Sequence, residues 1–285
     1  MCAFPYSVRL KPTPKYTGGR NIGVPCGKCP ECVRQKTNAW TFRINLHLQI
    51  TSNPLFITLT YDKKNLPTTV DKQTGEILQI PTLNPRDVQL FLKKLRNEYN
   101  KISPKKISYY LCGEYGTIRG RPHYHMLLFN MDSPAILQNC WGRGFVHSRP
   151  LLDGGISYTL KYMGKLTTRS DGQVREFSRM SKGLGSNYLT DNVVDMHVND
   201  LSRCYITLAG GIKIPMPKYF KDKIYTTDQR EAITDITQAR FFETEDHQCK
   251  RFLTNRPRNS KNNKITTYEL AKLSQNHLLR HSEIF

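Results

Sequence analysis

The stretch from Arg121 to Phe129, Arg-Pro-His-Tyr-His-Met-Leu-Leu-Phe, constrains the fold more than any other in this chain. It reads as a buried strand. Successive side chains of a strand point to opposite faces, so His123, His125, Leu127 and Phe129 share one face and Tyr124, Met126 and Leu128 the other. Two histidines at i and i+2 therefore point the same way, on a rigid element able to hold a metal ion.

The preceding segment, Lys106 to Tyr115, also reads as a strand and leads into the turn-rich residues Gly116 to Arg121. A hairpin folded near Ile118 and Arg119 puts Glu114 opposite His123 on the same face. Glu114, His123 and His125 then form a three-ligand site with positions left open for water and a phosphate oxygen. Mixed oxygen and imidazole ligation suits Mg²⁺ or Mn²⁺ acting as a Lewis acid on phosphate, with Zn²⁺ a further option. The plainer reading of the same residues is a pair of satisfied core histidines.

Charge narrows the partner. The 43 lysines and arginines outnumber the 23 aspartates and glutamates, for a formal net charge of +20. Such an excess favours a polyanion, because each phosphate neutralised releases counterions. No window approaches the roughly 20 apolar residues of a membrane span, and the first residues lack the apolar core of a signal peptide. The expectation is a cytosolic protein that uses no membrane, in which eight cysteines are thiols or metal ligands rather than disulfides.

Three of those cysteines, Cys26, Cys29 and Cys32, succeed one another at i+3 spacing, with Cys2 upstream. The set is expected to hold a structural Zn²⁺ that pins an N-terminal arm to the next segment of the chain. Free cysteines around a helix start are the alternative.

Residues 31–49 carry Val33, Trp40, Ile44 and Leu48 on one helical stripe. Pro54 to Asp62 reads as a central strand, and residues 63–82 as an exposed excursion or hairpin. A helix begins at Pro85 behind the N-cap Asn84, with Val88, Phe91, Leu92, Leu95 and Tyr99 inward. The glycines of Trp141-Gly142-Arg143-Gly144 predict a turn into a short strand. Tyr205 to Leu208 and Lys213 to Met216 predict a hairpin, residues 226–247 a charged helix, and residues 250–264 a mobile basic tail.

Gly155 to Lys165 reads as a helix in which Tyr-x-x-Lys occurs twice, Tyr158 with Lys161 and Tyr162 with Lys165. The two tyrosines lie one turn apart on one face, and so do the lysines. A phenol with a pKa near 10 acts as a nucleophile only when a lysine or metal stabilises its charge. Farther on, Phe177 to Tyr188 is basic and glycine-rich, either a plain loop or a segment whose backbone approaches a phosphate.

With these residues in view, the chain resembles the HUH endonucleases, and within them the replication initiation proteins of small single-stranded DNA phages of the gokushovirus kind. Phe56 to Thr60 resembles the first initiator motif, His123-Tyr124-His125 the His-hydrophobic-His motif, and Tyr158 to Tyr162 the nucleophile motif in its two-tyrosine form. Met1-Cys2, the Cys26 to Cys32 knuckle, Trp141-Gly142 and Met180 to Gly183 extend the likeness over residues 1–225.

The resemblance implies an α+β fold: an antiparallel central sheet with the histidines on a central strand, flanking helices, and an N-terminal cysteine-rich arm. It divides the chain into that arm (1–35), an endonuclease domain (36–225), and a basic C-terminal helix and tail (226–285). It implies a site- and strand-specific nickase in which Mg²⁺ or Mn²⁺ on Glu114, His123 and His125 assists attack by Tyr158 or Tyr162. The product is a 5′-phosphotyrosine link, with Lys161 and Lys165 supporting the phenols and Arg119, Arg121, Arg179 and Lys182 holding DNA. The implied partners are origin single-stranded DNA and the host helicase and polymerase, in the bacterial cytoplasm. The same charge and cysteines also suit a zinc-stabilised DNA-binding protein without catalysis.

Overall fold

The computed structural model describes residues 2, 4–12, 17–18, 20–71, 74–116, 119–152, 154–161, 170 and 172–254, with backbone alone at 20, 157, 161, 209 and 241–254. The chain forms two compact units, Trp40–Tyr188 and the remainder, Met1–Ala39 with the chain from Leu189 onward. It begins with an antiparallel hairpin, β1 (Tyr6–Leu10) and β2 (Arg20–Val24), to which no expectation from the sequence corresponds. Helix α1 (Pro30–Leu48) comes next, within a residue of its expected ends.

Strand β3 (Leu55–Tyr61) opens the sheet unit. The excursion after it is a small hairpin, β4 (Thr68–Val70) and β5 (Ile77–Pro81). Helix α2 (Pro85–Tyr99) starts where expected: the Asn84 side chain accepts the Arg86 N–H at 3.0 Å, and Pro85 fills the first turn, where its missing N–H costs nothing. Strands β6 (Ser108–Tyr115) and β7 (Pro122–Phe129) form the predicted hairpin. Then come α3 (Ile136–Trp141), β8 (Gly144–Pro150), α4 (Gly155–Lys161) and β9 (Phe177–Met180).

The five-stranded sheet runs β8-β3-β7-β6-β9 with every pairing antiparallel, so the histidine strand is central. Side-chain alternation separates two apolar layers. On one face Ile57, Leu59, Leu111, Met126 and Leu128 pack against Val88, Phe91, Leu95 and Tyr99 of α2 and Trp141 of α3. On the other, Phe56, Tyr110, Leu127 and Phe129 pack against Ile44 of α1 and Leu160 of α4.

The Trp141 to Gly144 turn is built by close approach. Gly142 caps α3 in the left-handed region at φ 61°. A Cβ on Gly144 would collide with the Thr60 carbonyl oxygen, so only glycine lets β8 pair there. The Trp141 indole N–H donates to that same carbonyl at 2.8 Å.

Beyond the sheet unit the chain forms α5 (Asp191–Asn199), the predicted hairpin of β10 (Tyr205–Thr207) and β11 (Lys213–Pro215), α6 (Lys218–Ile224) and α7 (Thr227–Thr254). The basic tail expected from residue 250 is corrected in part. Residues 250–254 continue α7, which good helix formers such as Lys250, Arg251 and Leu253 favour; residues 255–264 lie outside the described ones.

Candidate metal centre and active site

The β6–β7 register places Glu114 directly opposite His123, and Cys112 opposite His125. Directly opposed residues of an antiparallel pair project to the same side. One oxygen of Glu114 therefore lies 2.6 Å from His123 Nε2 and 3.1 Å from His125 Nε2. The imidazole planes stand nearly perpendicular, with centroids 4.9 Å apart. Glu114 and His125 are buried, and His123 is partly open.

Each ring is oriented from behind. His123 Nδ1 lies 3.2 Å from the Arg121 carbonyl, and His125 Nδ1 lies 3.1 Å from Thr58 Oγ1 on β3. A carbonyl only accepts, so Nδ1 of His123 carries its proton and donates it. In the neutral ring Nε2 then presents a lone pair to the carboxylate oxygen, and two acceptors 2.6 Å apart need a proton or a cation between them. Burial alone would raise the Glu114 pKa; hydrogen bonds from the two imidazoles outweigh it and hold the group below its ordinary value. An ionised oxygen and two oriented Nε2 atoms, all within 4.8 Å of one another, fit a divalent cation.

Helix α4 brings Tyr158 to this face. Its ring meets His125 edge-on at 5.7 Å and Phe56 at 5.8 Å, and it remains 44% exposed. The helix is fixed below by buried Thr159 and Leu160, and Cys112 Sγ donates to the Thr159 carbonyl at 3.4 Å. The Lys161 side chain, Tyr162 and Lys165 lie outside the described residues.

The cations expected to hold DNA are dispersed. Arg119 is exposed in the β6–β7 turn, whereas Arg121 donates to the Tyr61 carbonyl at 2.8 Å and ties the hairpin to β3. Arg179 pairs with Leu111 on edge strand β9, so it projects to the α2 side of the sheet, away from the histidines, 5.6 Å from the Phe177 ring. Lys182 is exposed in the turn after β9. Thr58, which orients His125, carries no signal of that role in the sequence, because the contact depends on the pairing of β3 with β7.

In the other unit, Cys2, Cys26, Cys29 and Cys32 place their sulfurs within 4.8 Å of one another. The Cys26–Cys32 and Cys2–Cys29 separations are 4.0 and 3.9 Å. A tetrahedron of Zn–S bonds of about 2.3 Å has edges of about 3.8 Å, whereas a disulfide needs about 2.05 Å. The backbone N–H groups of Lys28 and Cys29 point at Cys26 Sγ and lower its pKa to about 6. Burial pushes the Cys32 thiol well up, so four thiolates coexist only around a cation.

A family model for replication-associated proteins of the ORF2 type matches residues 54–167, which contain both the triad and Tyr158. The chain is 30% identical over 245 residues to the replication-associated protein ORF2 of Spiroplasma virus 4, spanning 77% of this chain and 73% of that one. It is 23% identical over 224 residues to the replication-associated protein VP4 of Bdellovibrio phage phiMH2K, across 71% and 67% of the two chains. The replication-associated protein ORF4 of Chlamydia phage 1 is 23% identical over 227 residues, 70% of this chain and 53% of that one. No solved structure matches the chain.

Proposed function

The chain belongs to the replication-associated protein family of small phages, and from that premise we propose that it starts and ends rolling-circle replication by cutting and rejoining one DNA strand through a tyrosine. The observation that carries this reading is an exposed Tyr158 ring 5.7 Å from His125, beside a buried Glu-His-His set.

Glu114, His123 and His125 would hold Mg²⁺ or Mn²⁺, which when bound supplies Lewis-acid polarisation of the phosphodiester. Thr58 and the Arg121 carbonyl keep the two Nε2 atoms aimed at Glu114. The Tyr158 oxygen attacks phosphorus; the new P–O bond forms as the P–O3′ bond breaks, and the released 3′-oxygen takes up a proton. The phosphotyrosine conserves the bond energy, so rejoining needs no nucleotide cofactor. Tyr162, one turn on in sequence, serves as the second nucleophile, and Lys161 and Lys165 stabilise phenolate charge. Arg119 and Lys182 contribute cations to the bound strand, and the Cys2, Cys26, Cys29 and Cys32 set holds structural Zn²⁺.

The substrate is single-stranded or melted origin DNA in the host cytoplasm, with the host helicase and polymerase acting on the free 3′ end. Among the described residues no helix is long and apolar enough to cross a membrane. Incubation with 3′-labelled phage single-stranded DNA and Mn²⁺, run on a denaturing gel, tests the reading. A label carried at protein mass and lost on adding EDTA supports it. Binding without an adduct on any genome fragment leaves a zinc-stabilised DNA-binding protein instead.

A further inference from the structure

Edge strand β8 pairs with β3 so that Phe145, His147 and Arg149 stand opposite Thr60, Thr58 and Phe56. The same three β3 residues stand opposite His123, His125 and Leu127. All three β8 side chains therefore project on the histidine face, one strand beyond β3, and all are exposed.

Two features of this row point to a ligand. Phe145 is 69% exposed, and a large aromatic on the open edge of a sheet invites aggregation unless something covers it. The Arg149 guanidinium lies 4.8 Å over the Phe56 ring. That ring in turn stacks on His125 at 5.6 Å and meets Tyr158 at 5.8 Å. A cation is thus fixed one aromatic ring away from both a metal-ligand histidine and the exposed tyrosine, in a chain of net charge +20.

We infer that β8 is the path of the single strand flanking the bond to be cut, with Phe145 stacking on a base and Arg149 pairing with a backbone phosphate. This rests on the DNA-processing role proposed above and adds to it where the strand lies. An aromatic and a guanidinium four residues apart on a strand are separated by about 13 Å, room for an extended strand to use both. A base offers its face to Phe145 only when it is unpaired, so the surface selects single-stranded over duplex DNA.

Anisotropy of a labelled oligothymidine of about 20 nucleotides, titrated with full-length protein in EDTA across a salt series, tests the path. Phe145→Ala is expected to raise Kd about tenfold with the salt slope unchanged. Arg149→Ala should raise Kd several-fold and flatten the slope of log K against log salt by about 0.7. Arg149→Lys should restore the slope but not the full affinity. Lys101→Ala, just beyond the C-terminus of α2, should change neither. The inference is overturned if wild type does not bind the probe, if Phe145→Ala and Arg149→Ala match wild type, or if Lys101→Ala flattens the slope as much as Arg149→Ala. Because binding is read without metal or cleavage, failure of nicking and failure of the path are separate results.

Discussion

Tyr158 meets His125 edge to face, with ring centroids 5.7 Å apart, although the two lie on separate elements, helix α4 and the central strand β7. Phe56 closes the triangle, stacked on His125 and edge-on to Tyr158. The tyrosine is thereby packed against the metal face while its exposure leaves the ring accessible to a strand of DNA.

Thr58→Val keeps the shape of the side chain and removes the oxygen 3.1 Å from His125 Nδ1. Loss of such a group behind a metal-ligating histidine weakens metal affinity about 10- to 100-fold. Mn²⁺ titration calorimetry on wild type and variant checks this, and the fold should be unchanged by circular dichroism.

Tyr124, the middle residue of the His-x-His segment, faces away from the metal. Its hydroxyl accepts the Asn84 N–H at 2.8 Å, donates to the Asn84 carbonyl at 3.0 Å, and lies 3.0 Å from Tyr61 Oη. Tyr124→Phe leaves buried backbone groups at the start of α2 unsatisfied, a cost of about 1–3 kcal/mol. Denaturant unfolding should show that loss while Mn²⁺ affinity stays at the wild-type value.

The cysteine set predicts stoichiometric zinc in the purified protein, measured by plasma mass spectrometry. Cys29→Ser, at a buried position, should abolish it and lower the thermal midpoint. Zinc retained in the variant would place the ion elsewhere.

His47 sets a pH dependence. Burial, reinforced by the nearby Arg43 charge, holds its pKa below the ordinary 6.5, so the folded state disfavours the proton that the unfolded state accepts. Its contribution is fully present above pH 6.5 and is lost as pH falls below that toward the depressed folded value. The urea midpoint should therefore drop between about pH 7 and pH 5, and less steeply in His47→Gln. His197, lowered chiefly by burial, leaves a residual slope in the same direction.

Much of the site is legible in the sequence because the hairpin is local. Alternation puts His123 and His125 on one face, and a short turn then sets Glu114 opposite His123. The start of α2 is equally legible, since Asn84-Pro85 carries a cap and a fixed φ in adjacent residues. What escapes is non-local or weakly patterned. The Thr58–His125 contact joins residues 67 apart and needs the β3–β7 register. Strand β9 is four residues long, with Ser178 and Arg179 polar because only one edge is paired, and so resembles a loop. Strand β8 is expected from its glycine turn, but not its place beyond β3, which alone brings Phe145 and Arg149 onto the histidine face.

The most direct test is to digest the DNA–protein adduct formed with phage single-stranded DNA and Mn²⁺ and to map the linked peptide by mass spectrometry. The account predicts a phosphotyrosine on Tyr158 or Tyr162, shifted wholly to Tyr162 in Tyr158→Phe and absent in the double phenylalanine variant. An adduct on any other residue, or one persisting in the double variant, would contradict it.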